Sequence, residues 1–241
     1  MKQPHDSWGA YYDFVYKQIF GSFYTNPTIE TVNVIKLILP YGTIIDFGAG
    51  TGRLSIPLVE QGYSLIAVEK SNGMVNELKR KFDELNYKIE VHNCSISEYK
   101  NGNADLALAL FTVLSYSITE DELAMNLKNI CNHIKINGYF FFDLPNKMFF
   151  NAGRLININT NNFSRIVELK SNNDNDIYTY REKCSGNFKG QEFSYEDEFK
   201  IRYWSFNTID KLLLKNGLKD TLKSFPQFNS TGSTYKLYKR L

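Results

Sequence analysis

The chain has 241 residues, 43% of them hydrophobic, and its 28 Lys and Arg against 26 Asp and Glu leave a net charge of +2. That length supports one full core with a small subdomain, and cations scattered along the chain set up no field for nucleic acid. No apolar stretch reaches membrane-spanning length, "MKQPHDSW" lacks the apolar run of a signal peptide, and Cys94, Cys131, Cys184, His5, His92 and His133 form no disulfide or metal spacing, so a cytoplasmic protein without a metal is expected.

Residues 8–39 read as helical. "WGAYYDFVYKQIF" sets Trp8, Tyr11, Tyr12 and Val15 near one face, and "PTIETVNVIKLIL" does the same with Ile29, Val32, Ile35 and Ile38 before Pro40 stops it. "TIIDF" is a short buried strand followed by a glycine turn. "RLSIPLVEQG" is a helix closed by Gly62, "SLIAVE" a second strand, and "SNGMVNELKRKFDELN" a helix capped by its serine. "KIEVHN" and "ADLALAL" are the third and fourth strands, the latter apolar nearly throughout as expected of a strand buried on both faces. Thr119 and Glu122 open the next helix as a capping box, Gly138 ends it, and "YFFFDL" is the fifth strand.

Strand and helix alternate through this stretch, so the sheet is expected to be parallel and doubly wound with right-handed crossovers. After Pro145 the texture changes. "SRIVELK", "DIYTYREKCSG" and "FSYEDEFKIRYWS" alternate with period two, as antiparallel strands do, and the Asn-rich segment 157–176 is a loop candidate that could act as a lid. A helix, "NTIDKLLLKNG", capped at Asn207 or Thr208 and closed by Gly217, then leads to two more strands, "LKDTLKSF" and "TYKLYKRL". Domain boundaries follow: helical lid 1–40, sheet core 41–150, appended strands 151–205, and a return to the core at 206–241.

The stretch "IIDFGAGTGRLSIPLVEQGYSLIAVEKS" carries the chemistry. A strand that ends at the head of a helix offers unpaired N–H groups and the positive end of a dipole, and glycines let a ligand lie against bare backbone. The spacing D-x-G-x-G-x-G over 46–52 differs from the dinucleotide fingerprint, whose third glycine would fall at Arg53. With "VEKS" at the tip of the second strand, "DFGAGTG" closely resembles the cofactor signature of class I S-adenosylmethionine-dependent methyltransferases. The resemblance implies a seven-stranded, mostly parallel Rossmann-like α/β sheet with an N-terminal helical lid and an appended small antiparallel sheet. It also implies S-adenosylmethionine as cofactor, with Asp46, Gly48, Ala49, Gly50 and Gly52 at its methionine end and Glu69, followed by Lys70, at the ribose hydroxyls. A carboxylate has two oxygens for two vicinal O–H donors.

By the same resemblance Ser95 falls where family members often carry an acid toward the adenine amino group. The Ile96 N–H is set to pair with a ring nitrogen, and Leu110 and Phe111 flank the cofactor. Tyr12, with Tyr11 as second choice, matches the lid tyrosine. Ser115 and Tyr116 are candidates for the acceptor side. Asp143 and Asn146 end the fifth strand, where they either hold an acceptor amine or stabilise a turn. Tyr12, Tyr116 and Asp143 are thus the catalytic candidates. Without an NPPY-type tetrapeptide after the fourth strand, base and protein-amide acceptors are disfavoured, as is nucleic acid for lack of a basic face.

The appended strands resemble those of amino-sugar and other metabolite methyltransferases, where they cover the acceptor or mediate dimerisation. The expectation is therefore a small-molecule methyltransferase, N-methylating in preference to O-methylating because an amine needs only to lose a proton. A homodimer is among the arrangements this allows. The rivals are an O-methyltransferase, a cofactor-binding protein without turnover, a protein or RNA methyltransferase, and a nicotinamide-dependent oxidoreductase. The last is opposed by the glycine spacing and the lack of a YxxxK pair.

Overall fold

The computed structural model describes residues 3–150, 154–160, 162–172 and 176–241. Helices α1 (Tyr12–Phe20) and α2 (Ser22–Ile38) come first, α1 preceded by a 3-10 turn at Gly9–Tyr11. Then β1 (Thr43–Phe47), α3 (Ser55–Glu60), β2 (Ser64–Val68), α4 (Asn72–Glu84), β3 (Glu90–His92), β4 (Ala104–Ala109), α5 (Glu120–Asn132) and β5 (Ile134–Pro145) alternate as expected. Four strands follow, β6 (Arg154–Thr160), β7 (Phe163–Ser171), β8 (Ile177–Phe188) and β9 (Gln191–Arg202), and α6 (Phe206–Lys215), β10 (Leu218–Asp220) and β11 (Ser233–Arg240) end the chain.

Seven strands form one sheet in the order β10-β11-β5-β4-β1-β2-β3, parallel except where β11 runs antiparallel to β5 and β10. Its strands are short apolar runs because helices cover both faces. One side buries Ile45, Phe47, Phe140 and Phe142 against α5 and α6; the other buries Ile44, Leu106, Leu108 and Phe141 against α2, α3 and α4. The strand order reverses beside β1, between β2 and β4, and ligands bind at the carboxyl ends of strands at such a point.

The second sheet, β6-β7-β8-β9, is an antiparallel meander. Its alternation puts Arg165, Val167 and Leu169 of β7, Tyr178, Tyr180 and Glu182 of β8, and Tyr195, Asp197, Phe199 and Ile201 of β9 on its inner face. Trp8, Val15 and Tyr11 of the N-terminal segment pack against one end of that face, and Phe150 and Tyr116 against the other.

Several sequence readings are corrected. The segment 157–176 is mainly the β6–β7 hairpin rather than a loop, with residues 161 and 173–175 of that reading outside the described residues. Asparagines are tolerated there because β6 is an edge strand with partly exposed side chains. Gly138 lies within β5, since α5 already ends at Asn132. The α6 cap is Ser205, whose side chain accepts from the Thr208 N–H at 3.2 Å. The strand read over 218–225 spans three residues. Ile29 is exposed, and α2 buries Thr31, Val32, Val34 and Ile35 instead.

Three contacts fasten the N-terminal segment to the core. Asp13 of α1 accepts from Lys81 Nζ, Thr51 Oγ1 and Tyr24 Oη, which ties α1, α2, α4 and the glycine turn together. Asp6 accepts from Ser71 Oγ at 2.7 Å, at the cap of α4. Gly73 lies so close that a Cβ there would meet the Asp6 carbonyl oxygen at 2.2 Å.

Candidate active site

The turn after β1 explains its three glycines. Gly48, Gly50 and Gly52 all have left-handed backbone, at φ of +75°, +56° and +87°. The N–H groups of Gly48 and Ala49 both donate to the Val68 carbonyl, at 2.8 and 3.2 Å, so the turn wraps the end of β2. A Cβ on Gly48 would meet Val113 Cγ2 at 2.5 Å, whereas one on Gly50 would meet only the Gly48 carbonyl oxygen, at 4.0 Å. Gly50 therefore leaves bare backbone. Gly52 has a different job: its missing Cβ faces Leu78, Phe82 and Ile56, where α3 and α4 pack.

Glu69 follows β2 and turns back to the same loop. Its Oε2 accepts from the Gly50 N–H at 3.0 Å and its Oε1 from the Ser71 N–H at 2.8 Å. These bonds orient the carboxylate and leave each oxygen further lone-pair capacity. Asp46 sits below, 4% exposed, accepting from Ser55 Oγ at 2.7 Å. Burial pushes its pKa up to about 6, against the Ser55 hydrogen bond and Arg53, which favour the charged form.

These groups open into one cavity of about 1340 Å³. Asp46, Gly48, Ala49, Gly50, Glu69, Lys70, Ser95, Ile96, Leu110, Phe111, Tyr12 and Tyr116 all line it, while Gly52 and Asp143 do not. Ser95 is turned toward its own helix start, donating from N and Oγ to Glu98 Oε2 at 3.0 and 2.6 Å. Asp143 is buried and accepts from the Phe111 and Thr112 N–H groups at 2.6 and 3.2 Å. Those two residues are left-handed at φ of +68° and +65°, so Asp143 holds a strained turn on the cavity wall and does not itself reach the cavity.

Arg53, named in the sequence only as the position where a dinucleotide fingerprint would carry its third glycine, is a site residue that sequence reading missed. Its guanidinium lies over the Phe111 ring, donates to Thr28 Oγ1 at 3.2 Å and lines the cavity beside Tyr12, Tyr16 and Tyr24. Its Nη2 is buried without a hydrogen-bond partner. An orphaned guanidinium nitrogen costs free energy unless an anionic group completes it. Across the cavity the second sheet contributes Arg165, Val167, Leu169, Tyr180, Phe199 and Ile201. Arg165 and Glu182 form a buried bidentate pair at 2.7 and 2.8 Å, with Tyr180 and Tyr195 hydroxyls also donating to Glu182.

Comparison with known proteins addresses the identity of this arrangement. The model of a methyltransferase domain family matches residues 44–138, from β1 into β5. That stretch of the chain is similar to a methyltransferase domain. A curated protein of Geobacillus sp. (strain WCH70), provisionally named a methyltransferase, is 26% identical over 102 residues, a match spanning 42% of this chain and 41% of that protein. An S-adenosylmethionine-dependent methyltransferase from Clostridium acetobutylicum ATCC 824 superposes with a TM-score of 0.83 at 19% identity, over 95% of this chain and 97% of that one. The sugar N-methyltransferase KedS8 from Streptoalloteichus sp ATCC 53650 gives 0.75 at 16% identity, over 95% and 92%.

At such identities these superpositions establish the fold alone: the sheet core and the second sheet together match those structures over 95% of this chain. The residues of the cavity fit S-adenosylmethionine. The cradle at Gly50 is open to a ligand, Glu69 presents a preoriented carboxylate for paired hydroxyls, and the orphaned Arg53 Nη2 awaits a carboxylate.

Proposed function

We propose that this protein is an S-adenosylmethionine-dependent methyltransferase acting on a small molecule, with nitrogen favoured over oxygen as the methylated atom. One observation carries the reading: the glycine turn and Glu69 share a single roofed cavity with the inner face of the second sheet. A roof of that kind suits an acceptor of metabolite size and leaves a macromolecule little room. The sugar N-methyltransferase among the similar structures supports nitrogen as the acceptor atom.

When bound, the cofactor supplies an electrophilic methyl group, so the chain's work is to align, enclose and manage a proton. In this reading Glu69 accepts from both ribose hydroxyls, beside Lys70. Arg53 takes the methionine carboxylate, below which Asp46 supports the turn through Ser55. Ser95 and Ile96 stand at the adenine edge and Leu110 and Phe111 against the cofactor's flank. Tyr12 and Tyr116 face the acceptor, and Asp143 positions the Phe111–Thr112 turn. Burial raises the Tyr12 phenol well above its ordinary pKa, so it acts as a neutral hydrogen-bonding wall.

The test is isotope transfer. Purified protein is incubated with methyl-labelled S-adenosylmethionine and a cell extract, and products are divided by size. Label in the small fraction, with a mass that identifies a methylated amine, is the expected result. Label confined to macromolecules would overturn the acceptor class, and cofactor binding with no label in any extract would leave a binding protein.

A further inference from the structure

The N-terminal turn places a histidine where no sequence spacing could announce it. His5 lines the cavity, with Nε2 2.8 Å from the Tyr116 hydroxyl oxygen and Nδ1 3.3 Å from Asp197 Oδ2. Asp197 comes from β9, 192 residues away, and also accepts from the His5 backbone N–H at 2.8 Å and Trp8 Nε1 at 2.9 Å. His5 is held with left-handed backbone, φ +69°, an arrangement that costs free energy and persists only where its surroundings impose it. Tyr116 faces the same cavity, beneath Lys70 and against Phe199.

We propose that Asp197, His5 and Tyr116 form a proton relay that carries the acceptor's proton out of the cavity during methyl transfer. The proposal rests on the methyltransferase reading above and adds the residues that receive the proton. Asp197 Oδ2 stands at ion-pair distance from Nδ1 without making a hydrogen bond to that buried nitrogen; the charge of the carboxylate still favours the imidazole proton on Nδ1, which leaves Nε2 to accept from the phenol. The acceptor's lone pair forms the bond to the methyl carbon, and the electron pair of the broken carbon–sulfur bond stays on sulfur. The acceptor's proton passes to the Tyr116 oxygen as the phenol's own proton passes to His5 Nε2. The resulting imidazolium lies beside the Asp197 carboxylate, and His5 then releases the proton to solvent.

The surroundings favour this direction. Burial raises the Tyr116 phenol well above its ordinary range, with Tyr16, Glu69, Asp197 and Glu182 adding to the effect, so it stays a neutral hydroxyl that can take one proton only while passing another on. Burial also pushes Asp197 upward, but hydrogen bonds from His5 and Trp8 outweigh it and hold the carboxyl below its ordinary value, keeping it ionised as a partner for imidazolium. The groups facing the imidazole are Asp197 of β9, Tyr116 from the turn after β4 and Tyr12 of α1, with the Phe199 and Trp8 rings closing the rest. Lys70 Nζ lies 5.6 Å from the Tyr116 ring centroid.

Two readouts test the relay, one of which needs no acceptor. With only three histidines in the chain, nitrogen-15 spectra of histidine-labelled protein assign the His5 tautomer through His5→Gln. The relay requires the Nδ1–H form at neutral pH and a changed Nε2 shift in Tyr116→Phe; an Nε2–H tautomer overturns it. With the acceptor identified by isotope transfer, His5→Gln should lower kcat by about 10²-fold, flatten the acid limb of its pH profile and leave cofactor affinity intact. A His5→Gln enzyme that keeps the wild-type kcat and pH profile overturns the relay. A wild-type protein that transfers no label to any acceptor defeats the methyltransferase reading instead, while the tautomer still reports on the contact.

Discussion

The two sheets of this protein bury side chains by different rules. In the seven-stranded sheet every central strand is apolar on both faces, and its charged residues stand at strand ends, where Asp46 and Asp143 brace turns. In the four-stranded sheet the alternation is clean, yet the inner face carries Arg165, Glu182 and Asp197, all buried. A face that is shielded from water and still charged costs free energy unless each charge is paired, so such a face is built for something besides cohesion. The core sheet holds the molecule together and offers its strand ends to a cofactor; the second sheet roofs a cavity and brings polar chemistry into it.

The largest test of that contrast is the buried pair. Arg165→Met strands Glu182 without its cation and should cost on the order of 3–5 kcal/mol in urea denaturation. Arg165→Met combined with Glu182→Leu should recover most of it. A single mutant within about 1 kcal/mol of wild type would mean that the roof does not depend on the pair.

The cofactor end comes next. Glu69→Ala should weaken S-adenosylmethionine binding by about 2–3 kcal/mol in calorimetry, because two charge-assisted bonds are lost. Unchanged affinity would remove Glu69 from the proposed ribose site.

Asp46 supplies a third test through pH. An acid whose folded pKa stands above its ordinary 3.8, here at about 6, binds its proton more tightly when folded. Its ionisation is therefore a cost that is absent below pH 3.8, grows as pH rises and is complete above about 6. Asp46→Asn, which keeps an acceptor for Ser55, should make the protein more stable than wild type by about 2 kcal/mol at pH 7, and the gain should vanish at pH 3.5. Thermal melts at the two pH values would show it, and an equal shift at both would exclude ionisation as the cause.

The smallest effect is expected on the outer face of the same four strands. Lys183 and Glu196 pair at 2.6 Å but are 66% and 71% exposed. Lys183→Ala should change stability by less than about 1 kcal/mol and by still less in high salt. A cost comparable to that of Arg165→Met would erase the distinction between the two faces.

The alternation of strand and helix, the switch to period two after Pro145, the glycine turn and the acid at the tip of β2 were all legible in the sequence. Each is written in a stretch of fewer than about 20 residues, the range over which periodicity and turn chemistry act. Local signals misled where tertiary pairing overrode them: Asn-rich residues 157–160 join a hairpin because β7, legible in "SRIVELK", offers β6 a ladder to complete. Asp143 was legible as a strand-end acid, but only the fold shows it turned toward the Phe111–Thr112 backbone instead of the cavity.

What the sequence determined by itself, then, is the half of the cavity built from consecutive segments: Gly48, Ala49, Gly50, Glu69, Ser95 and Phe111 follow one another along the strand ends of one parallel sheet. What only the tertiary structure decided is the other half. His5 meets Tyr116 and Asp197, and Arg165 meets Glu182 under Tyr16, through separations of up to 192 residues. No local pattern encodes such meetings, because they arise when the N-terminal helices and the second sheet close over the strand ends and bury their aromatic faces together.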